Sequence, residues 1–239
     1  MKNANAKQRD WVGQWYLVAA ERGRHHFVDF GRVDTDSGVH EWFDYSHSQG
    51  DGVHGMVHCA RALGRQDPPI PRSRDTAPPK GWKKLKILLA AARASRPPLM
   101  RWRFSQPEAK VRPKDFEWKV FSREETARIH GRAKAESVSL NAWIMQRLNK
   151  IILPALLEGA AEGRWLFPVN MRGPVWLGTG KEEGLGNQSS GIPLLVTPDS
   201  SAQEIHAEIK RSLSAGLHWA TWWMLHVGKL VGLRGMRHF

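Results

Sequence analysis

A short polar turn between a predicted strand and a predicted helix constrains this chain more than any other feature of its sequence. Residues 39–45 alternate aromatic and polar side chains, which is typical of a strand, and residues 53–63 are typical of a helix. The turn between them carries His47, Asp51 and Gly52 in a His-x-x-x-Asp-Gly spacing. A histidine there can present a ring nitrogen to a cavity, and a glycine permits a backbone angle that other residues resist. On these residues alone, a catalytic loop and an ordinary polar turn both remain open.

Three later segments follow the turn in a fixed order. Residues 137–144 run Ser-Val-Ser-Leu-Asn-Ala-Trp-Ile, residues 166–173 run Leu-Phe-Pro-Val-Asn-Met-Arg-Gly, and residues 185–194 begin Leu-Gly-Asn. Together with the turn, they resemble the chloramphenicol acetyltransferase-like superfamily. That superfamily includes the condensation domains of peptide synthetases, plant acyltransferases and the wax-ester synthase/diacylglycerol acyltransferases, and its motif is His-His-x-x-x-Asp-Gly. The resemblance covers residues 39 to 197.

Predicted strands and helices alternate along the chain, which indicates the α/β class. Strands are predicted over residues 27–30, 39–45, 115–123, 164–171 and 187–197, and helices over residues 53–63, 82–95, 124–135, 140–158, 201–214 and 217–233. Ser122 and either Ser200 or Ser201 are the expected N-caps of two of these helices. The resemblance implies a mixed β-sheet flanked by helices, as in chloramphenicol acetyltransferase.

The resemblance also implies an activity, namely transfer of an acyl group from a thioester to a hydroxyl or amine. His47 occupies the position of the superfamily's catalytic base, and a neutral imidazole can take the proton from the attacking acceptor. The donor would be acyl-coenzyme A or an acyl carrier protein, and the acceptor a small molecule. Neither a metal nor another cofactor is required.

Asp51 is expected to hold the loop through an arginine rather than to touch substrate. Arg172 is the preferred partner because it ends the Pro-Val-x-x-Arg segment, and Arg32 is the second candidate. The tetrahedral oxyanion needs a hydrogen-bond donor from the second half of the fold. The candidate donors are Asn187, Ser189 and Ser190.

The sequence departs from the family pattern in two ways. Ser46 stands where the motif has its first histidine, and the chain has the length of about one lobe of the two-lobed members. The first departure leaves open a binding module that has lost turnover. The second predicts a homo-oligomer, with a trimer favoured, in which His47 of one subunit faces Asn187 and Ser189 of the next.

Positive charge is concentrated in one proline-rich segment. The chain carries a formal charge of +13. Residues 61–114 contain 15 Lys or Arg but only three acids, and the helix predicted at 82–95 is basic and amphipathic. Three roles are open for this segment: a solvated face, an anion-attracting surface for a phosphorylated acyl donor, or a contact for nucleic acid or an anionic membrane. A basic peripheral protein is therefore a further alternative to the acyltransferase.

Composition limits the remaining possibilities. We divide the sequence into residues 1–65 with the motif, a basic crossover at 66–114 and a C-terminal half at 115–239, the first and last forming one structural unit. The single cysteine, Cys59, excludes an internal disulfide, and no apolar run follows Met1, so a cytoplasmic protein is expected. His25 and His26, and the pair His54 and His58, lack further ligands at suitable spacing, so no metal site is expected. His54 is instead expected to line the pocket.

Overall fold

The structure, a computed structural model, describes residues 9–24, 27–33, 40–66, 68–94, 103, 119–158, 162–175 and 185–238. These residues form a mixed helix and strand protein. Its helices are α1 (Trp11–Glu21), α2 (Gly52–Ala62), α3 (Gly81–Ala94), α4 (Arg123–Ala135), α5 (Leu140–Leu156), α6 (Ala202–Ser214), α7 (Leu217–Leu225) and α8 (Gly228–His238). Its strands are β1 (Phe27–Val33), β2 (His40–Ser46), β3 (Gly163–Asn170) and β4 (Ser189–Val196).

The described strands form two separate two-stranded sheets. β1 and β2 are antiparallel, with Phe27 opposite Ser46 and Val33 opposite His40, and β3 pairs with β4. The α/β class agrees with the sequence-based prediction. A single mixed sheet flanked by helices is not formed by the described strands, so the chloramphenicol acetyltransferase-like arrangement stays a prediction.

The chain divides into two compact units that interleave along the sequence. One unit contains residues 1–85, 168–191 and 218–239, and the other contains residues 86–167 and 192–217. Each unit is therefore assembled from separate stretches of the chain. The first unit contains the predicted motif loop. It also contains α1 and α8, which pack on each other and are joined at their ends by an ion pair between Glu21 and Arg237 at 2.8 Å.

The second unit is built on helices whose starts follow local rules. Ser122 caps α4 and Ser201 caps α6, each in a capping box with the glutamate three positions on. Ser139 caps α5, and its backbone N–H donates to His206 Nδ1 on α6. Both caps predicted from the sequence are confirmed, with Ser201 rather than Ser200 at the start of α6.

Two element predictions were wrong. The strand predicted over 115–123 is absent from its described part: residues 119–122 belong to no strand, and Arg123 already begins α4 with Ser122 as its N-cap. The helix predicted over 217–233 is two helices. α7 ends at Leu225 and α8 begins at Gly228, and Gly232 (φ +65°) interrupts α8 further on. Within the described parts of the chain, no helix has both the length and the apolarity needed to cross a bilayer.

Most of the remaining element predictions agree with the structure. Residues 68–80, in the predicted basic crossover, form neither helix nor strand. Residues 96–114 of that crossover lie outside the described residues except for Arg103. α1 had not been predicted.

Candidate functional site

The motif loop lies between β2 and α2, as the alternation before it and the helix after it predict. Residues 47–49 form a turn, and Asp51 is the N-cap of α2, where its Oδ1 accepts a hydrogen bond from the His54 backbone N–H at 3.2 Å. Ser46, in the place of the motif's first histidine, holds the turn through its Oγ, 2.9 Å from Ser48 Oγ. Gly52 is an ordinary first residue of α2. Its φ lies outside the left-handed region and a Cβ there would meet open space, so the expected need for glycine was wrong.

Asp51 is the most heavily hydrogen-bonded side chain of the loop. Its carboxylate is buried and accepts from Arg172 Nη2 at 2.5 Å, from Ser189 Oγ at 2.7 Å and from the Gln188 backbone N–H at 2.9 Å. Burial by itself would raise the pKa of Asp51, but the hydrogen bond and charge of Arg172, together with Ser189 and the His54 N–H, lower it overall. The carboxylate is therefore a fixed anion that ties the start of α2 to the start of β4.

Arg172, the preferred candidate partner of Asp51, is the arginine that pairs with it. Its guanidinium is 2% exposed and also donates to Asn170 Oδ1 and to the Gly186 carbonyl, at 3.2 and 3.3 Å. The second candidate partner, Arg32, lies on β1, and its side chain is outside the described part of the structure. The structure thus joins two residues 121 positions apart in one buried ion pair.

A second anchor holds the backbone of His47. Asn187 Nδ2 donates to the His47 carbonyl at 2.9 Å and to Asp10 Oδ2 at 3.0 Å, and the Asn187 backbone N–H donates to the same Oδ2 at 2.9 Å. Asp10 is 2% exposed, and its Oδ1 caps α1 by accepting from the Gly13 N–H. Sequence reasoning missed Asp10. The available signal was an aspartate directly before an apolar run, which is a helix-cap pattern.

The His47 ring lies against α1. It stacks on Tyr16 with 4.9 Å between ring centroids and 16° between planes, and the side chain is half-buried. Its Nδ1 is buried without a hydrogen-bond partner among the described residues. Burial raises the pKa of the Tyr16 hydroxyl, so the neighbouring ring is neutral. The loop therefore presents an imidazole that is held by stacking and by its own backbone.

His54 contacts the segment before β4, and its expected role in lining a pocket stays a prediction. Its Nδ1 lies 3.1 Å from the Gly186 backbone nitrogen and 3.0 Å from the Gln49 carbonyl oxygen. One nitrogen cannot accept and donate together, so the tautomer of the ring decides which of the two bonds forms. Burial lowers the pKa of His54 and favours the neutral ring. The described residues contain no group of His, Cys, Asp and Glu suited to a metal ion. His25 and His26 lie outside them.

All three candidate oxyanion donors hydrogen-bond within their own chain. Asn187 donates to Asp10 and His47, Ser189 Oγ to Asp51, and Ser190 Oγ to the His218 carbonyl at 2.6 Å. Asn187 and Ser190 are buried, whereas Ser189 is half-buried. Asn187 and Ser189 both contact the motif loop of their own chain, and a contact with the His47 loop of a neighbouring subunit stays a prediction.

A separate cavity lies in the second unit. It is apolar, has a volume of about 140 Å³ and is lined by residues 152–153, 156–157 and 163–165. None of the residues predicted to form the site lines it.

Gly13 tests how closely α1 approaches the motif loop. A Cβ at this position would lie 2.7 Å from the Ser48 carbonyl oxygen, a backbone atom that cannot move aside without shifting the loop. Gly13→Ala is expected to destabilise the protein by about 1–3 kcal/mol, the usual cost of overpacking. Urea unfolding measures this loss. Gly131→Ala on α4 is the control, since a Cβ there meets nothing, and equal stability of the two variants would contradict the close approach.

Comparisons with known proteins identify no family. No family model matches the chain, and no curated protein matches it in sequence. Among solved structures, it is similar to polyketide synthase associated protein 5 from Mycobacterium tuberculosis, with 15% sequence identity and a TM-score of 0.41. The match covers 82% of this chain and 54% of that one, so this chain spans about half the length of the matched structure. A likeness at this TM-score carries no argument about fold or function.

Proposed function

We propose that this chain is an acyltransferase of the chloramphenicol acetyltransferase-like type that moves an acyl group from acyl-coenzyme A or an acyl carrier protein to a hydroxyl or amine acceptor. The observation that carries the proposal is the buried pair of Asp51 and Arg172, which fixes the loop of His47 from a segment 121 residues away. Such a pair gives Asp51 the positioning role expected of the motif's aspartate.

His47 is the general base of the proposed reaction. Its imidazole takes the proton from the acceptor as the acceptor's oxygen or nitrogen attacks the thioester carbonyl carbon. The tetrahedral intermediate then collapses, the carbon–sulfur bond breaks, and the departing thiolate takes the proton back from the imidazolium.

Ser189 is our choice among the three candidate oxyanion donors. Asn187 and Ser190 are 3% and 6% exposed and hold the fold together, whereas Ser189 is half-buried. When its hydroxyl turns from Asp51 to the oxyanion, the Asp51 Oδ2 still accepts from the Gln188 N–H. The loss of one hydrogen bond in the resting protein is thus balanced by a new one in the transition state.

Ser189→Ala is expected to lower the turnover number by about tenfold or more and to leave KM nearly unchanged, since the hydroxyl acts on the oxyanion. Ser200→Ala is the control, because its hydroxyl also makes a local hydrogen bond, with Thr197, away from the loop. A Ser189→Ala enzyme with wild-type turnover would remove Ser189 from the mechanism.

The experiment that tests the proposed function is release of free thiol from a panel of acyl-coenzyme A esters, with hydroxyl and amine acceptors, by the purified chain. The proposal expects acceptor-dependent thiol release and an acylated acceptor of matching mass. A complete lack of release with coenzyme A esters and with acyl carrier protein donors would contradict it.

A binding module without turnover is the second candidate. The observation that favours it is the full use of Asn187, Ser189 and Ser190 in hydrogen bonds within the fold. This candidate predicts saturable binding of an acyl thioester, measured by calorimetry, without thiol release.

We retain a homo-oligomer, with a trimer favoured, and a cytoplasmic location as parts of the proposal. Light scattering at micromolar concentration tests the oligomer.

A further inference from the structure

The helix α3 turns its largest apolar side chains away from the protein. Trp82, Leu85, Leu88 and Leu89 are 66%, 44%, 42% and 47% exposed, whereas Ile87 between them is 4% exposed. At about 100° per residue, the four exposed side chains fall within about one third of the helix circumference. We call them the Trp82 face.

The inward side of α3 is narrow and made of smaller groups. Ile87 lies over Gly216, where a Cβ would come 2.8 Å from Ile87 Cδ1, and Ala90 and Ala91 are partly covered. Placing Ile87 inward by this contact fixes the rotation of the helix. The Trp82 face is therefore outward as a result of packing and is not a chance exposure of one side chain.

Cations flank one edge of the Trp82 face, and the helix carries no acidic residue. Lys86 and Arg93, seven positions apart, form one exposed edge, and Lys80 and Lys83 are also exposed. No acidic residue occurs between residues 76 and 94. The nearest acid along the chain, Asp75, already accepts from His218 and Trp219 at 2.8 and 2.7 Å.

We propose that α3 is a membrane-docking helix that lies in the interface of an anionic lipid surface with the Trp82 face inserted. Outward tryptophan and leucine flanked by lysine and arginine are the features of helices that bind in the plane of a bilayer. At 14 residues, α3 is too short to cross one. A second copy of this chain would bring two cationic faces together, and nucleic acid would leave the leucines without an apolar partner. An anionic bilayer offers negative charge to the cations and an apolar interior to the Trp82 face, so it fits both properties best. The proposal is independent of the acyltransferase assignment.

Sedimentation with lipid vesicles tests the proposal on the full chain. Wild type is expected to bind vesicles of phosphatidylcholine with phosphatidylserine, to bind pure phosphatidylcholine far more weakly, and to be partly released by salt as surface charge is screened. The double variant Leu85→Asp, Leu89→Asp is expected to lower the partition coefficient by roughly tenfold or more. Both leucines are exposed, so the circular dichroism spectrum and Tm are expected to stay near those of the wild type.

Two matched controls distinguish an effect of the Trp82 face from a general effect of changing surface charge or apolarity. Ile151→Asp changes a side chain that is 71% exposed on α5, and Lys150→Ala removes an exposed cation there. Both are expected to bind like wild type, whereas Lys86→Ala with Arg93→Ala is expected to lower binding to anionic vesicles roughly tenfold.

Several results would overturn the proposal. The proposal is wrong if the wild-type protein stays in the supernatant, if it binds neutral and anionic vesicles equally, or if the leucine variant binds like wild type. A lower molar mass of the leucine variant in light scattering, without vesicle binding by wild type, would assign the face to a second copy. Tight binding to duplex DNA that the Lys86→Ala, Arg93→Ala variant loses and the leucine variant keeps would assign the Trp82 face to nucleic acid.

Discussion

His47→Ala is expected to lower acyl transfer by roughly a hundredfold or more, the usual contribution of a positioned general base, and to leave the fold almost unchanged. The His47 ring makes a stacking contact with Tyr16, while the anchor to Asn187 uses the His47 backbone carbonyl, which alanine retains. The measurements are kcat/KM from thiol release and Tm from circular dichroism.

Two further variants separate proton transfer from packing. His47→Gln keeps a polar side chain on Tyr16 but has no basic nitrogen, so it is expected to be as inactive as the alanine variant. His130→Ala removes an exposed histidine on α4 and is expected to keep wild-type turnover. Equal turnover in wild type and His47→Ala would contradict the mechanism. A large fall in the Tm of His47→Ala would show that His47 is structural.

Arg172→Ala is expected to destabilise the protein by about 3–5 kcal/mol, the scale for a buried carboxylate left without its partner. Arg172 is 2% exposed and Asp51 is 4% exposed, so water cannot replace the lost guanidinium. Urea unfolding measures the loss. Arg132→Ala on α4 is the control, and a change within about 0.5 kcal/mol is expected for that exposed side chain.

The Asp51 variants test the other side of the same pair. Asp51→Ala is expected to lower both stability and turnover, because it removes the acceptor of Arg172, Ser189 and the backbone N–H groups of Gln188 and His54. Asp51→Asn is expected to be milder in stability, since an amide oxygen can still cap α2. If Arg172→Ala and Asp51→Ala unfolded at the wild-type urea concentration, the pair would not be what holds the loop.

Features set by neighbouring residues were predictable from the sequence. The capping boxes at Ser122 and Ser201 depend on a serine and a glutamate three positions on, and the structure forms both. The motif turn also depends only on nearby residues, namely the alternating strand before it and the helix that Asp51 caps after it. The apolar stripe on α3 was also visible in the sequence.

Features set by distant residues were not predictable. The bond between Asp10 and Asn187 joins positions 177 apart, and a helix-cap pattern at Asp10 says nothing of its second partner. The same holds for Ser190, whose acceptor is the carbonyl of His218. Periodicity located the apolar side of α3 but not its direction, which is decided by the contact of Ile87 with Gly216.

The most direct test of the central claim is a crystal structure of the protein with a thioether analogue of acyl-coenzyme A, which cannot be cleaved. The analogue's reacting end is expected beside His47 and Ser189, with the pair of Asp51 and Arg172 unchanged. An analogue bound without contact to His47, for example in the apolar cavity lined by residues 152–153, 156–157 and 163–165, would contradict the claim that the His47 loop is the site of acyl transfer.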